Sequence, residues 1–196
     1  MIFYFHGFSS GENSHKANVI SRYFENHTVI VPEYPSHQPV CAVEFLRQTI
    51  DEKLLTNKDR KLMLIGSSLG GYYAQYLATQ IEQVAAVVLI NPCLEPEKSL
   101  ALQIGKQNNC VTGKQFEFTA DDYNQLKNYS VNSEDLFNPT MVLLDEGDEV
   151  IDYRVAEEIY RAKESVIVYP GGDHWFRHLD QALPKIEDFY QSEVNG

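Results

Sequence analysis

The residues best suited to chemistry form a Gly-x-Ser-x-Gly motif, from Gly66 to Gly70, directly after an apolar run. Ser68, at its centre, is a potential nucleophile. A strand before the motif and a helix-forming segment after it are typical of a nucleophile elbow, where serine occupies a tight turn. Gly66 and Gly70 leave room for that strained turn because they lack side chains. The motif therefore predicts that Ser68 projects its hydroxyl into the cleft of a hydrolase.

A carboxylic acid for such a site is expected after the nucleophile in the chain. A serine hydroxyl needs a base, the base needs an acid to orient it, and with this elbow the order is nucleophile, acid, base. Asp148 lies just past the predicted strand 140–145, with Asp145 and Asp152 as alternatives. Asp145 is expected to belong to the strand and Asp152 to cap the next helix, so we predict Asp148 as the acid.

The base has two candidates, because only His174 and His178 follow Asp148 in the chain. His174 lies in a glycine-rich loop between the last predicted strand and the last predicted helix. His178 fits the start of that helix, where a structural role is expected. We therefore predict His174 as the base.

Backbone amides are predicted to complete the site as an oxyanion hole, which stabilises the charge of a tetrahedral intermediate. One donor is the amide of Leu69, directly after Ser68, and the other is the amide of Phe8, in the loop after the first strand. Gly7 lets that loop turn toward the ligand. Aromatic candidates for lining an acyl pocket, each with core packing as the alternative, are Phe8, Tyr72, Phe116, Phe118 and Trp175.

Short β-branched or aromatic runs alternate with longer amphipathic segments, which predicts a parallel sheet covered by helices on both faces. The predicted strands are Ile2–Phe5, Thr28–Val31, Lys61–Ile65, Ala85–Ile90, Thr140–Asp145 and Ser165–Tyr169. The predicted helices are His15–Glu25, Cys41–Leu55, Gly71–Ile81, Tyr153–Lys163 and Leu179–Glu193.

One region, about 91–139, is longer than a simple crossover between strands requires. It contains a predicted helix near Ala120–Asn128, capped by Thr119 with Asp122 three residues on. A long excursion of this kind is typical of a lid or a substrate-binding insertion. We therefore predict a single α/β domain over residues 1–196 that carries a cap-like insertion.

Composition narrows the function classes further. The chain has 196 residues, of which 43% are hydrophobic and 22% charged, a balance typical of one globular domain. A net charge of −12 argues against nucleic acid or an anionic membrane surface as a partner. No apolar run is long enough for a membrane span, and no export signal is visible. Three widely spaced cysteines suit a reducing compartment, so we expect a cytoplasmic protein.

Other cofactor-dependent chemistries lack their motifs. The Gly-Ser-Ser-Leu-Gly-Gly sequence has no lysine of the kind that a phosphate-binding P-loop requires. No dinucleotide-binding glycine motif follows a predicted strand. The carboxylates show no metal-ligand spacing with histidine or cysteine. We therefore expect no metal and no cofactor.

Taken together, these motifs resemble the α/β-hydrolase superfamily, in particular its small bacterial esterases of the YqiA type. The matching stretches are Tyr4–Ser10, Ile65–Ala74, Gly147–Arg154 and Gly171–Phe176. The resemblance implies a nucleophile at Ser68, an acid at Asp148 and a base at His174. It also implies six parallel strands in the order 2-1-3-4-5-6 and hydrolysis of carboxylic esters, with thioesters as a further substrate class, without a cofactor; the expected partner is a small-molecule acyl ester or thioester. A thioesterase or peptidase with the same triad, or a non-catalytic binding protein on this fold, is the alternative.

Overall fold

A computed structural model describes residues 1–56, 59–161 and 166–194 of the chain. The strands, in chain order, are β1 (Ile2–Phe5), β2 (Val29–Ile30), β3 (Leu62–Ser67), β4 (Val84–Ile90), β5 (Gly105–Asn108), β6 (Gln115–Phe118), β7 (Thr140–Asp145) and β8 (Val166–Tyr169). Six of them form a parallel sheet in the order β2-β1-β3-β4-β7-β8. This confirms the predicted sheet and its strand order.

Helices cover both faces of this sheet. They are α1 (His15–Tyr23), α2 (Pro39–Leu54), α3 (Leu69–Gln80), α4 (Pro96–Ser99), α5 (Ala120–Leu126), α6 (Tyr153–Tyr160) and α7 (Leu179–Glu193). Helices α1 and α7 pack on one face, and α2, α3 and α6 pack on the other. Within the described ranges, no helix has the length and apolar character that crossing a membrane requires.

Strand β4 illustrates why the sheet is buried on both sides. Successive side chains of a strand point to opposite faces. Val87 and Leu89 therefore join the core beneath α2 and α3, whereas Ala86, Val88 and Ile90 join the core beneath α1 and α7. An apolar residue at every position fills both layers, which is why this strand lacks the polar alternation of a half-exposed one.

The boundaries of several elements differ from the sequence prediction. Helix α2 starts at Pro39, because proline fits the first turn of a helix. Helix α3 starts at Leu69, immediately after the serine, so the turn at Ser68 is tighter than the predicted start at Gly71 implied. The predicted end of α6 at Lys163 and the predicted start of β8 at Ser165 lie outside the described residues.

The long stretch between β4 and β7 forms α4, a hairpin of β5 and β6, α5 and several short 3-10 turns. The hairpin was not predicted. The predicted cap of α5 is confirmed: the Thr119 hydroxyl accepts from the Asp122 amide at 3.1 Å, and an Asp122 carboxylate oxygen accepts from the Thr119 amide at 3.0 Å. Phe118 and Leu126 are fully buried in the core, so the insertion packs against the body of the protein. Its role as a lid stays a prediction.

Candidate active site

The turn between β3 and α3 holds Ser68 in the conformation expected of a nucleophile elbow. Ser68 has a φ of +54°, a region that side chains disfavour and that costs on the order of 1–3 kcal/mol. Neighbouring backbone holds it there: its amide donates to the Ile90 carbonyl at 3.0 Å, and its carbonyl accepts from the amides of Gly71 at 2.9 Å and Cys93 at 3.0 Å. The end of β4 therefore helps to fix the elbow.

The two glycines of the motif allow the elbow to pack closely against its surroundings. A side chain at Gly66 would overlap the Gly70 carbonyl oxygen, and one at Gly70 would overlap the carbonyl oxygens of Phe5 and His6. The contacts at both positions are with backbone atoms, which cannot rotate away. The strand, the turn and the end of β1 thus fit together only without these side chains.

We expect Gly70→Ala to lower the free energy of unfolding by about 3 kcal/mol, because its methyl group meets rigid backbone. Gly113→Ala is the matched control: Gly113 has a φ of +70° and open space around it, so only conformational strain of about 1 kcal/mol is added. Urea denaturation followed by circular dichroism measures both. Equal losses in the two variants would contradict the close approach at Gly70.

The structure brings Ser68, His174 and Asp148 together. The Ser68 hydroxyl oxygen lies 3.1 Å from His174 Nε2, and His174 Nδ1 lies 2.9 Å from an Asp148 carboxylate oxygen. The Asp148 side chain is 2% exposed and that of His174 is 22% exposed. One imidazole therefore contacts the hydroxyl with one nitrogen and a buried carboxylate with the other, the arrangement in which histidine can accept a proton from serine.

The loop after β7 fixes the Asp148 carboxylate independently of the histidine. Its second oxygen accepts from the amides of Val150 at 2.9 Å and Ile151 at 2.8 Å. Asp152, an alternative acid in the sequence, instead caps α6 by accepting from the Arg154 amide at 3.1 Å, as predicted. Asp148 is thus the carboxylate that this loop directs at His174.

Asp145, the other alternative acid, forms a second pair with His178. Its carboxylate is completely buried and lies 2.7 Å from His178 Nδ1. The other carboxylate oxygen accepts from the amides of Arg177 at 2.8 Å and Asp173 at 3.2 Å. It also occupies the space that a side chain at Gly172 would need. Asp145 therefore holds the backbone on both sides of His174 without contacting the His174 ring.

Asn91, which follows β4, joins this second network. Its amide oxygen accepts from the Asp145 amide at 2.8 Å, and its amide nitrogen donates to the Asp173 carbonyl at 3.0 Å. The sequence analysis missed this role. A signal was available, because Asn91 and Asp145 each stand at the carboxyl end of a parallel strand, where polar side chains converge.

The loop after β1 brings Gly7 and Phe8 to the elbow. A side chain at Gly7 would come within 2.9 Å of Ser68 Cβ, so the loop passes directly over the serine. Among described groups, none accepts a hydrogen bond from the amide of Phe8 or of Leu69. Neither predicted oxyanion donor is thus occupied by a described acceptor, and the role of these two amides in an oxyanion hole stays a prediction.

Two contacts hold this loop from opposite sides. The Tyr34 hydroxyl donates to the His6 carbonyl at 2.6 Å and its ring lies 4.3 Å from the His6 ring, centroid to centroid. From the insertion, the Asn109 amide group donates to the Ser10 carbonyl at 2.7 Å. Burial lowers the pKa of the His6 imidazole, so His6 is neutral at pH 7 and its protonation in acid disfavours the folded state.

A cavity of about 770 Å³ opens beside the serine and the histidine. Phe8 and Trp175 line it, together with Val111 at the hairpin tip and Val150 on the Asp148 loop. A cavity of this size accommodates a small organic molecule. Among the described residues, no group of three or more His, Cys, Asp or Glu side chains is arranged to hold a metal ion.

The structure does not bring the other aromatic candidates to this cavity. Tyr72 is buried in the core, where its hydroxyl donates to the Leu126 carbonyl at 2.7 Å. Phe118 is fully buried and packs against Phe8. For Tyr72 and Phe118, packing of the insertion against the core takes the place of the predicted pocket role. Phe116 lines a separate groove, and its part in substrate binding stays a prediction.

Lys16, on the cavity wall, contacts the loop that carries His174. Its ammonium group donates to the Trp175 carbonyl at 3.1 Å. Burial lowers the pKa of this ammonium group to about 8, and the carboxylate of Asp173, among others, acts in the opposite direction. Lys16 therefore ties α1 to the loop that carries His174.

Solved structures with the same architecture define the class: the chain has the α/β-hydrolase fold. Est1E from Butyrivibrio proteoclasticus, with ferulic acid bound, matches with a TM-score of 0.78 and 12% identity over 100% of this chain and 89% of that one. The esterase domain of a Rhodothermus marinus protein matches with a TM-score of 0.74 and 18% identity, covering 98% and 87%. Identities this low establish the shared fold alone.

Sequence comparison identifies the family. A family model described as "Uncharacterised protein family (UPF0227)" matches residues 1–191, and the chain belongs to this family. The UPF0227 protein YcfP of Salmonella gallinarum is 24% identical over 191 residues, which cover 96% of this chain and 98% of that protein. A UPF0227 protein of Citrobacter koseri is 25% identical over 192 residues, with the same coverage. The resemblance expected from the motifs is confirmed.

Proposed function

We propose that this protein is a serine esterase that hydrolyses small carboxylic esters. The observation that carries the proposal is the continuous chain of contacts from the Ser68 hydroxyl through the His174 ring to the Asp148 carboxylate, at 3.1 and 2.9 Å. Its position at the carboxyl edge of the sheet, beside a cavity, supports the proposal. So does the fact that some solved structures with this fold are named esterases.

The proposed reaction proceeds through an acyl-enzyme. His174 accepts the Ser68 proton as the serine oxygen attacks the acyl carbon, and Asp148 stabilises the imidazolium that forms. The amides of Phe8 and Leu69 donate to the oxyanion. His174 then protonates the departing alcohol. Water, deprotonated by His174, attacks the acyl-serine, and the acid is released with the serine restored. The cycle consumes only ester and water.

A fluorophosphonate probe tests the proposed nucleophile. We expect stoichiometric labelling of native protein, with the modified peptide mapping to Ser68 by mass spectrometry, because only an activated serine attacks the phosphorus atom at a useful rate. Ser192→Ala, which changes an exposed serine of α7, should label like the wild type, and denatured protein should not label. Labelling elsewhere, or none on native protein, would contradict the proposal.

A further inference from the structure

The proposed chemistry fixes which part of an ester lies beside His174. A base that takes the serine proton must return it to the leaving oxygen, so the alcohol part of the ester has to lie next to Nε2. Trp175 follows His174 in the chain and lines the same cavity. Val150 also lines it, and its amide is bound to the carboxylate that contacts His174. The wall near the base therefore combines these apolar side chains with the Glu149 carboxylate, which accepts from the His174 amide at 3.1 Å.

Three side chains of this wall expose large apolar surfaces to solvent. Trp175 is 58% exposed, Val150 is 54% exposed and Val111, at the tip of the hairpin, is 37% exposed. We call these three residues the apolar rim. Scattered exposed hydrophobic residues are ordinary, but several that share one cavity mark a binding surface. The cavity that they share is the one that contains Ser68.

The backbone of Trp175 is held on both sides, and one cation faces its exposed indole. The Trp175 amide donates to an Asp173 carboxylate oxygen at 2.9 Å, and its carbonyl accepts from Lys16 at 3.1 Å. The Lys16 ammonium group lies 5.8 Å from the centre of the indole ring. Arg177 in turn binds the other Asp173 oxygen at 2.6 Å. An uncovered ring on an anchored backbone offers a ligand a preorganised apolar platform.

We infer that the apolar rim binds the alcohol part of the substrate and that the enzyme prefers esters of bulky apolar or aromatic alcohols. This inference rests on the proposed serine-esterase function. It moves Trp175 from the predicted acyl pocket to the leaving-group side, because the residue stands next to the base. A larger and flatter alcohol would stack on more of the Trp175 indole and would cover more of the apolar surface of Val111 and Val150.

Three butyrate esters with the same acyl group test this inference: methyl, benzyl and 2-naphthylmethyl. In the wild type, we expect kcat/KM to rise in that order. Trp175→Ala should lower kcat/KM for the two aromatic esters by about tenfold, the size of a lost aromatic contact plus buried area, and for the methyl ester by less than about twofold. Trp175→Phe should restore most of the preference, since it keeps an aromatic face.

Phe137→Ala is the matched control, because Phe137 is 84% exposed and lies outside the lining of this cavity. It should leave the ratio of benzyl to methyl ester turnover unchanged. An equal ratio in wild type and Trp175→Ala, with methyl butyrate still hydrolysed, would overturn the leaving-group assignment alone. The assignment would also be overturned if the loss of kcat/KM caused by Trp175→Ala varied with acyl length in a series of methyl esters. Failure of the wild type to hydrolyse any ester and to label Ser68 would overturn the proposed function as well.

Discussion

Ser68→Ala is expected to lower kcat/KM for an activated ester such as 4-nitrophenyl butyrate by about 10⁵-fold or more. Serine already places a Cβ in the elbow at a φ of +54°, so alanine adds no new atom there. The substitution removes only the oxygen that attacks the acyl carbon. His174 and Asp148 then have no nucleophile to activate. Residual turnover over the uncatalysed rate would come from the oxyanion amides and from binding. Steady-state kinetics, with a thermal melt to verify folding, measures the loss.

Ser192→Ala provides the control for this experiment, since Ser192 is an exposed serine of α7 whose hydroxyl donates to the Phe189 carbonyl of the same helix. Its kcat/KM should match that of the wild type. A Ser68→Ala variant that retains a tenth or more of the wild-type activity would exclude Ser68 as the nucleophile. A wild type that is inactive on ester and thioester panels and unlabelled by the probe would instead favour a binding protein on this fold.

Local patterns were sufficient to predict the sheet and the three residues that meet at the elbow. The β4 run is apolar at every position, which indicates a strand buried on both faces. The order of Ser68, Asp148 and His174, each just after a strand, places all three at one edge of a parallel sheet. These inferences need the strand positions, which local patterns indicate, and the parallel direction, which the helix-length connections indicate. The order of the strands in the sheet was implied by the family resemblance.

The hairpin of β5 and β6 was missed because its strands carry a weak signal. Gly105–Asn108 is polar and its residues alternate only between half-buried and exposed, without an apolar face. The side-chain oxygen of Asn109 accepts from the amides of Val111 and Thr112, and its backbone carbonyl accepts from the Gly113 amide. The connection is thus an Asn-centred turn longer than the two-residue turns that sequence patterns indicate best.

The positions of the aromatic side chains depend on tertiary contacts, which local sequence patterns do not reveal. Tyr72 stands in the first turns of α3, as expected for a residue near the site, yet its hydroxyl is satisfied by Leu126, 54 positions away. Phe118 belongs to the hairpin that was not predicted, and in the register of that hairpin its side chain is buried in the core. Which face a side chain covers is decided by the packing of the insertion, and no local pattern encodes it.

Two buried carboxylates lie at or just after the end of β7, and changing each one to asparagine should have clearly different effects on turnover. In Asp148→Asn, the amide oxygen can still accept from Val150 and Ile151, but the charged partner of His174 is lost, so the free energy of unfolding should fall by about 2 kcal/mol. The amide nitrogen then faces His174 Nδ1 and favours the tautomer that carries its proton on Nε2, which cannot accept from the Ser68 hydroxyl. We expect kcat to fall by about 10⁴-fold.

In Asp145→Asn, the loss of stability should be similar, but the loss of activity should be much smaller. The amide oxygen can retain the amides of Arg177 and Asp173, but the charged partner of His178 is lost from a site with no solvent access. A charge-assisted hydrogen bond of this kind contributes about 1.5–3 kcal/mol, so we expect a loss of about 2 kcal/mol in the free energy of unfolding. The His174 ring keeps its own contacts, and kcat should fall by no more than about tenfold.

Urea denaturation and steady-state kinetics on the two variants measure these effects. If Asp145→Asn abolished turnover at unchanged stability, the buried pair with His178 would belong to the reaction. The physical basis of the difference is the set of contacts: Asp148 contacts the ring that touches the serine, whereas Asp145 contacts the His178 ring and the backbone on both sides of His174.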